Sequence, residues 1–262
     1  MDMALLIAKS GLDAHHKNIE VISNNLANSN TPAFKRNRAE FQDLPYQVVT
    51  QAGSPVSQDI NAPSNLVIGT GTKMSNNKKI FLDGSQIQTG SPLDVTVSGR
   101  GLFKVETVNS NYAYTRDGRF QVNETGQLVT STGYVIQPPI VIPQGSQNIT
   151  ISKDGIVSAT PPGAAGTLQQ LGQLELTDFI NPDGLIPIGE NLYQETVASG
   201  TGVSGNPLSN GLGTITQGAY EASNVNVVEE MVNLIEAQRA FEVTSKAVSA
   251  VDNMLQQLSR EV

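Results

Sequence analysis

There is no cysteine in this sequence, which excludes disulfides, thiolate chemistry and a cysteine-based zinc cluster. Charged side chains are few, at 15% of residues, and aromatic ones fewer, at 5%. Asparagine, serine, threonine, glutamine and glycine fill the difference, a balance that suits many short strands and turns and not a compact helical enzyme. Positive charge is in deficit: at a net −8 the chain lacks the basic footprint of a nucleic-acid binder. Long apolar runs are missing as well. No stretch approaches the roughly 20 apolar residues of a membrane span, so direct membrane insertion is not expected. The opening residues, Met1 to Lys9, lack the basic region, long apolar core and small-residue cleavage site of a secretory signal. Passage out of the cytosol would need another route.

With 38% hydrophobic residues over 262 positions, the chain can bury the core of one large domain or two modest ones. Its punctuation is segregated. Of 24 glycines, 23 lie between Gly53 and Gly218, and all 13 prolines lie between Pro32 and Pro207. Both ends permit helix and the middle does not, so the chain reads as helix, long β-rich body, helix.

The strongest helical signal covers residues 227–259, a rod of about 50 Å at 1.5 Å per residue. Val228, Met231, Ile235, Phe241, Val248, Val251, Leu255, Leu258 and Val262 read as one apolar stripe, with Gln238 and Ser245 in its polar gaps. Asn226 followed by Glu229 reads as an N-cap with a capping-box acid. Glu242 with Lys246 and Glu236 with Arg239 are placed to pair on the flank facing water. At the other end, residues 3–28 carry a heptad seam of Leu5, Ala8, Leu12, His15, Ile19, Ile22 and Leu26. The only two histidines, His15 and His16, lack convergent carboxylates or further histidines, so they read as packing and surface residues. The first helix stops near Asn28, and Pro32 forbids its continuation.

Between the helices, residues 36–68 read as an extended arm or surface loop that packs on a neighbour. From Ile68 to about Gly218 comes the β body. Leu93 to Val97 alternates strictly, and Leu102 to Val105 and Phe120 to Val122 repeat the habit. Asp83-Gly84, Asp117-Gly118, Asp154-Gly155 and Asp183-Gly184 read as turns, and residues 161–166 and 200–213 as loops. Chemistry is thin here. The Gly69-Thr70-Gly71 and Gly99-Arg100-Gly101 stretches do not continue as phosphate-binding fingerprints. No Gly-Xaa-Ser-Xaa-Gly elbow occurs, and no histidine lies in the body to serve a serine nucleophile. The Asp-Gly aspartates lack the closely spaced acidic array of a calcium loop. No catalytic, cofactor-binding or metal-binding residue is expected.

The run Asn24-Asn25-Leu26-Ala27-Asn28-Ser29-Asn30-Thr31-Pro32-Ala33-Phe34-Lys35 places four asparagines in seven residues at a helix exit. Such side chains compete for backbone groups and tolerate left-handed geometry, so they suit a specified turn. This segment resembles the signature of the bacterial flagellar rod and hook proteins. Alanine stands at position 33 where glycine is commoner in that family, so no positive φ is expected there. The lead-in Ser223-Asn224-Val225-Asn226 and the run Gln238-Arg239-Ala240-Phe241-Glu242 with Ser245-Lys246 resemble the same family, with Phe241 in place of the more usual tyrosine. A third similar stretch runs from Tyr114 to Phe120 and on through Gly126 to Val129. The resemblance extends essentially from end to end.

The fold expected is a mainly β central body with two terminal α-helices that pair as a coiled-coil-like hairpin in the assembled state. Residues 1–30 and 222–262 would form the helical assembly domain, 31–68 the connecting arm and 69–221 the body. The expected subunit-packing residues are Leu5, Leu12, Ile19, Ile22, Leu26, Val228, Met231, Ile235, Phe241, Val248, Val251 and Leu255. The resemblance supplies the signature set Asn24, Asn25, Leu26, Ala27, Asn28, Asn30, Thr31, Pro32, Phe34 and Lys35. Ordering some 60 terminal residues costs on the order of 1–2 kcal/mol each in backbone entropy, so the ends are expected to fold only as they pack between neighbours.

The resemblance implies a non-enzymatic subunit of a hollow helical homopolymer in the flagellar basal body, with no cofactor. Its length and single body are those of distal rod subunits, which act as a stiff drive shaft crossing the periplasm. Implied partners are further copies of itself, proximal rod and hook proteins, surrounding ring proteins and the flagellar export apparatus. Proximal rod and hook subunits of the same family are the nearer alternative; a secreted carbohydrate-binding β protein is the remote one.

Overall fold

The computed structural model describes residues 2–53, 55–57, 60–61, 64–107, 111–162 and 167–260. An N-terminal helix α1, Asp2–Ala27, and a C-terminal helix α2, Val227–Arg260, enclose in sequence a long run of short strands and one 3₁₀ turn. Among the described residues, no helix is long and apolar enough to cross a membrane. The chain divides into two units. One is Met1–Ala27, Asn37–Lys79 and Asn226–Val262; the other is Asn28–Arg36 and Ile80–Val225.

In the first unit α1 and α2 pack side by side and antiparallel. Gly11 faces the Thr244 methyl near one end of the contact, and Asn25 meets Glu230 near the other. As expected, Asn226 caps α2: its side-chain oxygen accepts from the Val228 N–H at 3.1 Å and the Glu229 N–H at 3.5 Å. The described residues between 37 and 79 form a long antiparallel hairpin. Asn37–Asp43 pairs with Thr72–Lys79, and beyond it Gln47–Thr50 pairs with Leu66–Ile68 and Pro55–Ser57 with Ile60–Asn61. Two expected boundaries therefore move. The described strands of the arm at 31–68 lie on both limbs of this hairpin, and Thr72–Lys79, assigned to the body, belongs to its returning limb. The pairing partners of Asn37–Asp43 lie 29 to 42 residues away, which local composition does not display.

The second unit is the β body. Its largest sheet has seven antiparallel strands in the order Phe120–Val122, Leu128–Thr130, Val135–Gln137, Phe103–Glu106, Tyr112–Thr115, Leu192–Gln194, Ile186–Gly189. A three-stranded meander follows, Gln147–Ile151, Ile156–Thr160 and Gln169–Gln173, with Asp154-Gly155 at its first turn. Val95–Ser98 pairs with Thr214–Gln217, and Gln86–Gln88 with Ala219–Glu221. Phe103, Val105, Leu128, Ile136, Val157, Leu174, Leu176 and Ile215 form one apolar core, in which the Phe103 and Phe120 rings meet edge to face at 5.0 Å. The alternation read at Leu93–Val97 is not one-sided: Thr96 is buried along with Val95 and Val97, so that strand is covered on both faces. Within the expected loop 200–213, Val203–Gly205 pairs with Leu176–Asp178. Residues 163–166 of the other expected loop lie outside the described part.

Candidate functional site

The expected packing residues separate into three sets. Ile22 is buried, and Leu5, Leu12, Ile19 and Leu26 are half-buried along α1. On α2, Phe241, Val248 and Val251 are half-buried, whereas Val228, Met231 and Ile235 are exposed at 72%, 52% and 50%. The side chain of Leu255 lies outside the described part. The single stripe read on α2 is in fact two. At roughly 3.6 residues per turn, the early set and the late set stand about 150° apart. The six-residue step from Ile235 to Phe241 breaks the seam, since steps of three and four alone keep one face. The face that is covered runs from Glu230 through Leu234, Ala237, Phe241, Thr244 and Val248, and the early set with Val232 makes an apolar patch open to solvent.

A polar knot closes the paired helices. Asn25, 1% exposed, accepts from the Asn37 N–H at 2.8 Å and donates to the Asn37 carbonyl at 2.8 Å. Its amide also donates to the buried Glu230 carboxylate at 3.2 Å. One signature asparagine thus ties the end of α1 to the hairpin and to α2. Asn24 and Ala27 are exposed. His16 lies on the surface with Nδ1 3.2 Å from Glu20, and His15 is half-buried.

In the β unit the rest of the signature forms a tight turn. The Thr31 N–H donates to the Asn28 carbonyl at 3.2 Å, the Thr31 hydroxyl to the Asn28 side chain at 3.1 Å, and the Phe34 N–H to the Thr31 carbonyl at 3.3 Å. Asn30 is exposed, Pro32 is half-buried, and the Pro32 carbonyl accepts from the Asn191 amide at 2.7 Å. The expectation at position 33 is overturned: Ala33 has φ 58° and is 1% exposed. Its N–H donates to the Glu221 carbonyl at 2.8 Å, so the turn holds a left-handed residue even though a Cβ is present.

The chain crosses this unit at 28–36 and again at 219–225, and an ionic cluster joins the crossings. The Lys35 ammonium donates to Glu221 Oε1 at 2.6 Å and to the Leu82 carbonyl at 2.7 Å, with both charged side chains at most 2% exposed. Arg116 Nε donates to Glu221 Oε2 at 2.8 Å, and Nη2 reaches Asp83 at 2.8 Å. The same guanidinium donates to the carbonyls of Val97, Gly99 and Gly101. The Gly84 N–H donates to Glu221 Oε1 at 2.7 Å, and a Cβ on Gly84 would collide with the Ala222 carbonyl. Asn224 completes the stitching: it accepts from the Arg36 N–H at 2.7 Å and donates to the carbonyls of Ile80 at 2.8 Å and Leu82 at 3.1 Å. Burial pushes the Glu221 carboxyl up, but Arg116 and Lys35 outweigh it and hold the group below the usual carboxylate range. Burial draws the Lys35 ammonium below the ordinary lysine range, against the pull of Glu221.

Lys35 was legible as a signature residue, but its partners Glu221, Arg116 and Asp83 were not. Each lies 48 or more positions away, and nothing local to Glu221 marks it as buried. Glu230 was missed for the same reason.

The family models described as Flagella basal body rod protein, Flagellar hook protein FlgE/F/G D1 domain, and Flagellar basal body rod FlgEFG protein C-terminal match residues 5–35, 96–159 and 216–261. The flagellar basal-body rod protein FlgG of Buchnera aphidicola subsp. Schizaphis graminum is 50% identical, over 98% of each chain. FlgG of Caulobacter vibrioides is 46% identical over 98% of each chain, while FlgF of that bacterium is 34% identical over 94% of this chain and 92% of its own. The first match takes in the signature turn and the last takes in Glu221 and the capped start of α2; the chain belongs to the flagellar basal-body rod protein family and within it resembles FlgG.

Proposed function

We propose that the protein is a structural subunit of the distal rod of the bacterial flagellar basal body, polymerising with copies of itself and abutting the neighbouring rod and hook proteins. The observation that carries this reading is the similarity to FlgG over nearly the whole chain, higher than to FlgF of the same organism. The open apolar patch of Val228, Met231, Val232 and Ile235 supports assembly, because a contiguous apolar face on a helix end calls for another helix. In the assembled state the terminal helices pair as a coiled-coil-like core. An open head-to-tail contact then generates a helical tube and not a closed ring. The tube serves as a torque-carrying shaft across the periplasm, reached by signal-independent export, and the subunit needs no cofactor and does no chemistry. Ring proteins around the shaft and the export apparatus are the further partners.

Electron microscopy of basal bodies purified from cells lacking the gene tests this. The expected result is a rod that stops short and carries no hook. A complete rod without a hook would move the protein to the hook, and unchanged flagella would remove it from the axial structure.

A further inference from the structure

Four charged groups in the β unit lie where an apolar contact would serve a merely structural role better. Replacing a buried ion pair with well-packed apolar residues is often neutral or stabilising, so the cluster calls for a role other than stability. Its position suggests one. Lys35 stands on the first crossing of the chain, Glu221 on the second, and Asp83 on the segment between them in space. A cavity of about 540 Å³, lined among others by Lys35, Phe81, Asp83, Arg116 and Phe179, opens over the cluster, and Asp83 is 46% exposed. Protons and water therefore have a way to the charges.

We propose that Lys35, Glu221, Arg116 and Asp83 form an acid-opened latch that holds both crossings to the β unit while Glu221 is ionised and releases them when Glu221 is protonated. The groups facing Glu221 are the Lys35 ammonium, the Arg116 guanidinium and, from Leu192–Gln194, the Tyr193 phenol, whose own titration burial and then Glu221 push upward. Lys35 and Arg116 stay charged in acid. Protonating Glu221 leaves two buried cations facing each other, with only the half-exposed Asp83 beside them. Water entering through the cavity would relieve them at the expense of the backbone bonds from Ala33 to Glu221 and from Asn224 to Phe34, and of the bond from the Gly84 N–H to the Glu221 carboxylate. The apolar core built on Phe103, Val105, Leu176 and Ile215 contains none of the four and stays closed. The sign is that of a depressed carboxyl: the contribution is present above the unfolded-state value of about 4.3 and is lost as pH falls through the lower folded value. This inference is independent of the rod reading.

The experiment is amide hydrogen exchange on the full-length monomer, followed from about pH 7 to about pH 3 with exchange times scaled for the intrinsic rate. Ala33, Arg36, Gly84 and Asn224 should lose protection at least tenfold at the acid end, while Val105 and Val157 keep theirs. Glu221→Gln should show the open pattern already at neutral pH. Lys35→Met removes one of the cations that favour the ionised carboxylate, so opening should shift upward by about one pH unit. Uniform loss of protection across the unit in acid would overturn the latch, as would a Glu221→Gln protein protected like the wild type at neutral pH. If Glu221→Gln does not fold, Lys35→Met decides: an unmoved opening pH sinks the proposal.

Discussion

The two units distribute their apolar surface differently. In the β unit Val95, Phe103, Val105, Leu128, Ile136, Leu174, Leu176 and Ile215 are almost entirely hidden, and the sheet and its flanking strands close over them. In the helical unit Tyr46, Val48, Val49, Leu66 and Val67 along the hairpin, and Val228, Met231, Val232 and Ile235 on α2, remain open to solvent. Soluble monomers seldom leave contiguous patches of this kind uncovered. The β unit closes a core with its own chain while also exposing Leu82, Ile180 and Val197, whereas the exposed apolar residues of the helical unit fall along the hairpin and on one stretch of α2. The difference also shows in how each is pinned: the helical unit by an amide network at Asn25 and a bond from the Thr72 N–H to the Ser10 hydroxyl, the β unit by a packed core with a separate ionic cluster.

Substitutions can break or sharpen that contrast. Phe103→Ala should have the largest effect, costing about 3–5 kcal/mol of monomer stability in urea denaturation, because a fully packed ring leaves a cavity behind. A loss below about 1 kcal/mol would mean that the β core is not self-sufficient. Ala33→Gly should run the other way, gaining up to about 1 kcal/mol, since it relieves a left-handed alanine at some cost in unfolded-chain entropy. Ile235→Lys should change monomer stability least, within about 0.5 kcal/mol, because the side chain already meets water. The same variant should nonetheless abolish rod assembly, read as basal bodies without a distal rod. Normal rods from Ile235→Lys would show that the open patch of α2 is not an assembly surface.

The order of the elements was legible because helices and turns are local. The glycine and proline segregation placed both helices, Asn226 marked the start of α2, and Asp154-Gly155 marked a hairpin turn. Strand pairing is not local, which is why residues 36–68 read as an arm although Asn37–Asp43 pairs with Thr72–Lys79 and Gln47–Thr50 with Leu66–Ile68. The α2 stripe misled for a subtler reason. Apolar residues recur at close to helical spacing throughout, and only the six-residue gap after Ile235 reveals that the apolar face changes side. At position 33 the local argument from residue type failed because a tertiary bond to Glu221 outweighed the preference of alanine for negative φ.

Asn25 carries a consequence for what the helix exit can tolerate. By offering a carbonyl-like oxygen and an N–H pair to the two backbone groups of Asn37, its side chain stands in for a peptide unit and supplies one rung of a third strand beside Asn37–Asp43. Peptide mimicry of this kind requires a donor and an acceptor side by side, which among side chains of this size only asparagine provides. Aspartate differs by a single atom, yet it would turn the donor into a second acceptor, set against both the Asn37 carbonyl and the buried Glu230 carboxylate. The junction of helix, hairpin and returning helix thus hangs on the identity of one nitrogen.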